Sequence, residues 1–131
     1  MPKIVITAFD RDRLTELLKK KRPQDAYDRA LGEELAKAEV VTPKKIPADR
    51  ITMNSQVQFV DENGKKREYW LVFPEDADVT ANKISILSPV GCALLGCRVG
   101  DEVTVPTPNC DKKLKVSKVL SQPEREGNFD L

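Results

Sequence analysis

The stretch Ile84 to Asp101, I-S-I-L-S-P-V-G-C-A-L-L-G-C-R-V-G-D, constrains the fold more than any other segment. Ile84 and Ile86 alternate with Ser85 before Leu87, which is the period of a strand. Ser88-Pro89 then reads as a helix start. A serine oxygen can accept from an orphan backbone N–H, and proline at the first helical position has no N–H to orphan. Ala93, Leu94 and Leu95 give one helical turn an apolar face. Gly96 is the natural stop, because glycine takes the left-handed conformation without a Cβ clash. Gly100-Asp101 makes a second turn into a strand at residues 102–105.

The rest of the chain divides by hydrophobic period. Residues 3–9 form an extended apolar lead, with Thr7 or Asp10 placed to cap a helix starting near Asp10. Leu14, Leu17 and Leu18 fall at helical spacing, and Lys19, Lys20, Lys21 and Arg22 suit the negative end of that helix. Pro23 ends the run. Asp25 is placed to cap a second helix over 26–40, whose stripe is Tyr27, Ala30, Leu31, Leu35 and Ala38. A connection this short predicts antiparallel packing of two stubby helices. Pro43 and Pro47 mark a linker at 43–50.

Beyond it the period becomes alternating. Val57 and Phe59 share one face of a strand. Asp61-Glu62-Asn63-Gly64 signals a hairpin. The return strand, 68–73, carries Tyr69, Leu71 and Phe73 on one face and Trp70 and Val72 on the other, which predicts cover on both sides. Residues 74–82 read as a polar loop. Pro106, Pro108 and Asn109 read as a hairpin turn before a last strand, 113–120. The architecture expected is α+β: a short antiparallel helical hairpin over 1–42, a linker over 43–50, and an antiparallel β-sheet domain with one short helix over 51–131.

Composition excludes several function classes. The net charge of the 131 residues is +1, so bulk electrostatics advertise neither nucleic acid nor membrane binding. No apolar run approaches the ~20 residues needed to cross a bilayer. No secretory leader is visible, so a cytoplasmic protein is expected. There is no histidine, which removes the commonest metal ligand and the usual general base. The three cysteines, Cys92, Cys97 and Cys110, are an odd count without zinc-ligand spacing. Spare reduced thiols are expected, with no metal and no cofactor.

Two clusters remain. Lys21, Arg22, Gln24, Asp25 and Asp28 gather where the two helices meet. Structurally they are a solvated, dipole-complementing helix end, a cap and an ordinary first-turn acid. For the basic run Lys19-Lys20-Lys21-Arg22 the functional alternative is contact with RNA or an acidic protein surface. Ser88, Pro89, Val90 and Gly91 form the other cluster. They are either a plain strand-to-helix turn or a pre-ordered binding loop, whose rigidity lowers the entropy cost of docking.

S-P-V-G-C-A-L-L-G followed by V-G-D-E-V-T-V resembles the C-terminal domain of the GreA/GreB superfamily of transcription elongation factors. The resemblance extends over Val57 to Leu131 and includes Ile51-Thr52-Met53-Asn54-Ser55. The closing Gln122-Pro123-Glu124 with Gly127 resembles the short-armed Rnk group within it. The resemblance implies an FKBP-like sheet bent around the short helix. It implies docking on RNA polymerase near the secondary channel through Ser88, Pro89, Val90 and Gly91, with nucleic acid met only through the polymerase. A regulator that competes with Gre-like factors, without enzymatic activity, is the expected function. One alternative is transcript cleavage, in which Asp25 or Asp28 would hold Mg²⁺ at the arm tip. The other is an FKBP-like peptide-binding module, with Phe59, Trp70, Val90, Leu94 and Leu95 as a groove rather than core.

Overall fold

The computed structural model describes residues 4–21, 23–105 and 111–128. The apolar lead becomes a strand, β1 (Val5–Thr7), and runs directly into helix α1 (Ala8–Lys20). Thr7 is the cap, its hydroxyl accepting from the Asp10 N–H at 3.0 Å. Helix α2 (Ala26–Lys37) starts at Asp25 and stops three residues short of the expected end. Glu39–Val41 instead forms β2 and pairs parallel with β1, Val5 opposite Glu39 and Thr7 opposite Val41. A backbone bond made far along the chain, Glu39 N–H to the Ile4 carbonyl at 2.9 Å, overrides the local helical period.

Five strands form the main sheet: β3 (Gln56–Val60), β4 (Lys66–Val72), β5 (Lys83–Ser85), β6 (Glu102–Val105) and β7 (Lys112–Ser121). Their order is β5-β4-β3-β7-β6. The expectation of a wholly antiparallel sheet is corrected here: β5 lies parallel to β4, Leu71 opposite Ile84. The ten residues between them are not a plain loop but contain two short 3₁₀ turns, Pro74–Asp76 and Val79–Ala81. They swing the chain back, as a parallel pairing requires. The β3–β4 hairpin is present, but only Gly64 takes positive φ, at 78°. Asp61 holds that turn by accepting from the N–H groups of Asn63 and Lys65. The predicted turn at Pro106, Pro108 and Asn109 lies outside the described residues.

Helix α3 (Pro89–Leu94) packs on the buried side of the sheet, against β5 and β6. At six residues it is too short to be stable alone, so its order comes from packing. Leu94 and Leu95 are buried beneath it, each worth about 1.5–3 kcal/mol of transfer free energy. Phe59, Leu94 and Leu95 thus belong to the core, and Val90 packs partly buried against it. Leu14, Leu18, Leu31 and Leu35 of the helical pair join that same core.

The segment Ile51–Ser55 is the junction between helices and sheet. The Met53 N–H donates to Asp10 Oδ2 at 3.0 Å, tying α1 to the sheet. Thr52 Oγ1 donates to Glu124 Oε1 at 2.7 Å, tying in the C-terminal segment. Gln122 donates to the carbonyls of Pro47 and Arg50, at 2.9 and 2.8 Å.

Candidate functional site

The Ser88 turn is built from backbone upward. Ser85 ends β5, and its side chain accepts from the Leu87 N–H at 3.0 Å. Ser88 Oγ donates to the Ser85 carbonyl at 2.7 Å and accepts from the Gly91 N–H at 3.1 Å. One hydroxyl therefore closes the strand and opens α3, with Pro89 at the first helical position. Gly91 sits so close to the sheet that a Cβ there would lie 2.2 Å from the Ser85 carbonyl oxygen. No side chain fits. Pro89 and Val90 remain half-buried on the outside of this turn. Gly96, at φ 78°, ends the element as its sequence implies.

The cluster between α1 and α2 is held by charge. Asp25 and Asp28 form a reciprocal capping box: Asp28 N–H to Asp25 Oδ1 at 2.8 Å, Asp25 N–H to Asp28 Oδ2 at 3.0 Å. Lys21 Nζ stands 2.7 Å from Asp28 Oδ2 and 3.8 Å from Asp25 Oδ2. Gln24 donates to the Leu18 carbonyl at 2.7 Å, finishing the end of α1. Arg22 lies outside the described residues. Asp28 is not the ordinary surface acid expected of a first turn; it is buried. Burial pushes its carboxyl up, but the Lys21 ammonium and the Asp25 N–H outweigh that and hold it below the ordinary value. Both carboxylates are thus already engaged by this chain's own donors. Among the described residues, no three Cys, Asp or Glu side chains gather as a metal site would need.

The two clusters, far apart in sequence, are neighbours in space. The Cys92 thiol, on α3, approaches the Tyr27 carbonyl, in the first turn of α2, at 3.6 Å. A cleft of about 240 Å³ runs between α2, α3 and β6, lined by Tyr27, Glu34, Pro89, Cys92 and Thr104 among others. Burial pushes the Cys92 thiol up to about 11, aided by Glu34, and the Cys97 thiol up to about 12, aided by Asp101. Neither is a nucleophile at neutral pH. Cys110 lies outside the described residues.

Sequence reasoning missed a second buried acid. Asp10, on α1, meets Arg13 at 2.6 Å, and the Arg13 guanidinium stacks over Phe9 and Phe73 at 4.0 and 4.7 Å. Burial raises the Asp10 carboxyl above its ordinary range despite the Met53 N–H and Arg13. Beforehand Asp10 was legible only as an alternative to Thr7 for the helix cap.

Two family models match this chain. "Transcription elongation factor, GreA/GreB, C-term" covers residues 46–121. "Rnk N-terminus" covers residues 2–41. The regulator of nucleoside diphosphate kinase of Escherichia coli (strain K12) is 36% identical, over 99% of this chain and 98% of its own length. Transcription elongation factor GreA of Sphingopyxis alaskensis is 40% identical over 68% of this chain and 56% of its own length. A solved GreA/GreB elongation factor from Nitrosomonas europaea superposes with a TM-score of 0.77 at 41% identity, covering 91% of this chain and 98% of that one. The chain belongs to the GreA/GreB family of transcription elongation factors, and its N-terminal part is of the Rnk type.

Proposed function

We propose that this chain is a cytoplasmic, RNA-polymerase-binding regulator of transcription that docks through Ser88, Pro89, Val90 and Gly91 and does not cleave RNA. In this reading residues 1–42 act as a stunted arm, 43–50 as its linker and 51–131 as an FKBP-like gripping domain. The chain competes with Gre-like factors for the secondary-channel rim. Similarity along nearly the whole length to a relative named a regulator supports the regulatory part.

The observation that carries the non-cleaving part is the state of Asp25 and Asp28. Each caps the other's backbone, and Lys21 neutralises the inner one. A catalytic Mg²⁺ needs hard oxygen ligands turned outward. Here their release would break the start of α2. The arm is also short: α1, at 13 residues, is about 20 Å long, and the first turn of α2 lies beside α3.

A pull-down with core RNA polymerase tests docking, and competition with a GreA/GreB-family factor tests the shared site. Ser88→Ala with Pro89→Ala should weaken retention at least tenfold while circular dichroism stays unchanged. Absence of retention at micromolar protein removes the proposal. Backtracked elongation complexes should show no shortened RNA at saturating protein, and shortened RNA would restore the cleavage reading.

A further inference from the structure

We propose that the sheet face turned away from α3 binds single-stranded nucleic acid, with Trp70 as the stacking platform and Lys66, Lys113, Lys115 and Lys118 on the phosphates. This goes beyond the docking reading, which uses the opposite side of the sheet.

Strand register assembles the face. Val57 and Phe59 of the central strand point into the core, so Gln56, Gln58 and Val60 point out. Lys66 and Lys115 flank Val60, Glu68 and Lys118 flank Gln58, and Trp70 and Ser121 flank Gln56. Lys113 continues the face beyond Lys115, opposite Thr104. Lys115 and Lys118 are three apart and would ordinarily point to opposite sides. A register shift between Gln58 and Phe59 admits one extra residue in β7, so Val116 and Val119 both go inward and both lysines go outward.

Charge and shape choose the occupant. The outward positions of the five strands carry five lysines, counting Lys83, against Glu68 and Glu102. The whole chain carries only +1, so five lysines against two glutamates make this face locally more positive than the chain as a whole. Among the described residues, Lys66, Lys113, Lys115 and Lys118 form no ion pair with the chain's own acids. Trp70 is partly exposed, next to Gln56 of the central strand and Lys83 of β5. A covered strand was expected around Trp70; only its far end, at Val72, is covered. Lysines two apart on a strand stand about 7 Å from one another. A basic sheet with an aromatic platform suits a flexible polyanion whose bases are free to stack. A duplex keeps its bases paired inside and leaves Trp70 unused.

Trp70 is the single tryptophan of the chain, so its fluorescence reports directly on the face. The probe is an oligouridylate of about ten nucleotides. The expected result is quenching of Trp70 emission, with binding weakened about 50-fold as salt rises from about 50 to about 200 mM, as four phosphate contacts require. Lys115→Gln with Lys118→Gln should reduce that loss to about sevenfold. Trp70→Leu should weaken binding of a dye-labelled oligouridylate by fivefold or more. These lysines are exposed, so the double variant keeps its fold, checked by circular dichroism, and keeps its polymerase retention. No quenching at low salt, an unchanged salt dependence in the double variant, or equal quenching by polyaspartate would overturn the proposal.

Discussion

Helices α2 and α3 begin in the same way and are held in different ways. Each starts at a side-chain cap, Asp25 for one and Ser88 for the other. At α3 the cap is sealed by packing: Gly91 is pressed against the Ser85 carbonyl, and Leu94 is buried in the sheet's core. At α2 the cap is sealed by charge, with Lys21 across two aspartates, Asp28 buried and Asp25 open to solvent. Packing is indifferent to pH and salt, whereas a partly exposed charge cluster responds to both. The chain thus pairs a rigid turn with an adjacent, ionically tuned helix end.

The glycines break the comparison most sharply. Gly91→Ala should cost about 3 kcal/mol, seen as a fall in Tm of roughly 10 °C, because the clashing atom is backbone and cannot yield. Ser88→Ala comes next, at about 2 kcal/mol in denaturant titration. It loses both the cap and the bond to Ser85. Asp25→Ala should cost about 1 kcal/mol by the same measurement, having only the cap and a distant Lys21 to lose. Gly32→Ala, in the middle of α2, should stabilise by about 0.7 kcal/mol. Its Cβ would meet Leu18 Cδ1 at an ordinary 3.8 Å. A destabilised Gly32→Ala variant would show that the helical pair is packed as tightly as α3.

The last prediction concerns sign rather than size. Asp28 is held below the ordinary 3.8, so its stabilisation is present above pH 3.8 and is lost as pH falls through its folded value. Asp10 is raised, so its contribution is complete below pH 3.8 and is lost as pH rises through its folded value. Denaturant midpoints across the acid range should show the two effects with opposite slopes. Asp28→Asn should flatten the loss seen as pH falls below 3.8, and Asp10→Asn should remove the loss seen as pH rises above 3.8. Identical profiles for the two variants would mean that burial, and not the partner, governs both carboxyls.

What was legible in the sequence was local. The caps at Thr7, Asp25 and Ser88, the stop at Gly96 and the hairpin after Asp61 each follow from a few adjacent residues, and each is present. The β1–β2 pairing was not legible, because two three-residue strands become a sheet only through a partner some 34 positions away. The early end of α2 and the parallel β5 fail for the same reason. Asp28 was seen as a first-turn acid but not as a buried one, since burial depends on where Lys21 folds back. The placement of that helix end beside α3 came from tertiary packing alone. The lysine face was hidden by the β7 irregularity, which shifts the alternation that a reader would otherwise follow.

The parallel pairing of β1 with β2 brings the entry and exit of the helical pair together, Val5 beside Glu39 and Thr7 beside Val41. Everything between them is in effect a cassette seated in a two-stranded clasp. Lengthening both helices by matched turns would carry the far end outward and leave the clasp and the sheet as they are, at a closure cost that grows only logarithmically. Within one scaffold, reach becomes an adjustable dimension set by how much helix the clasp is given to hold.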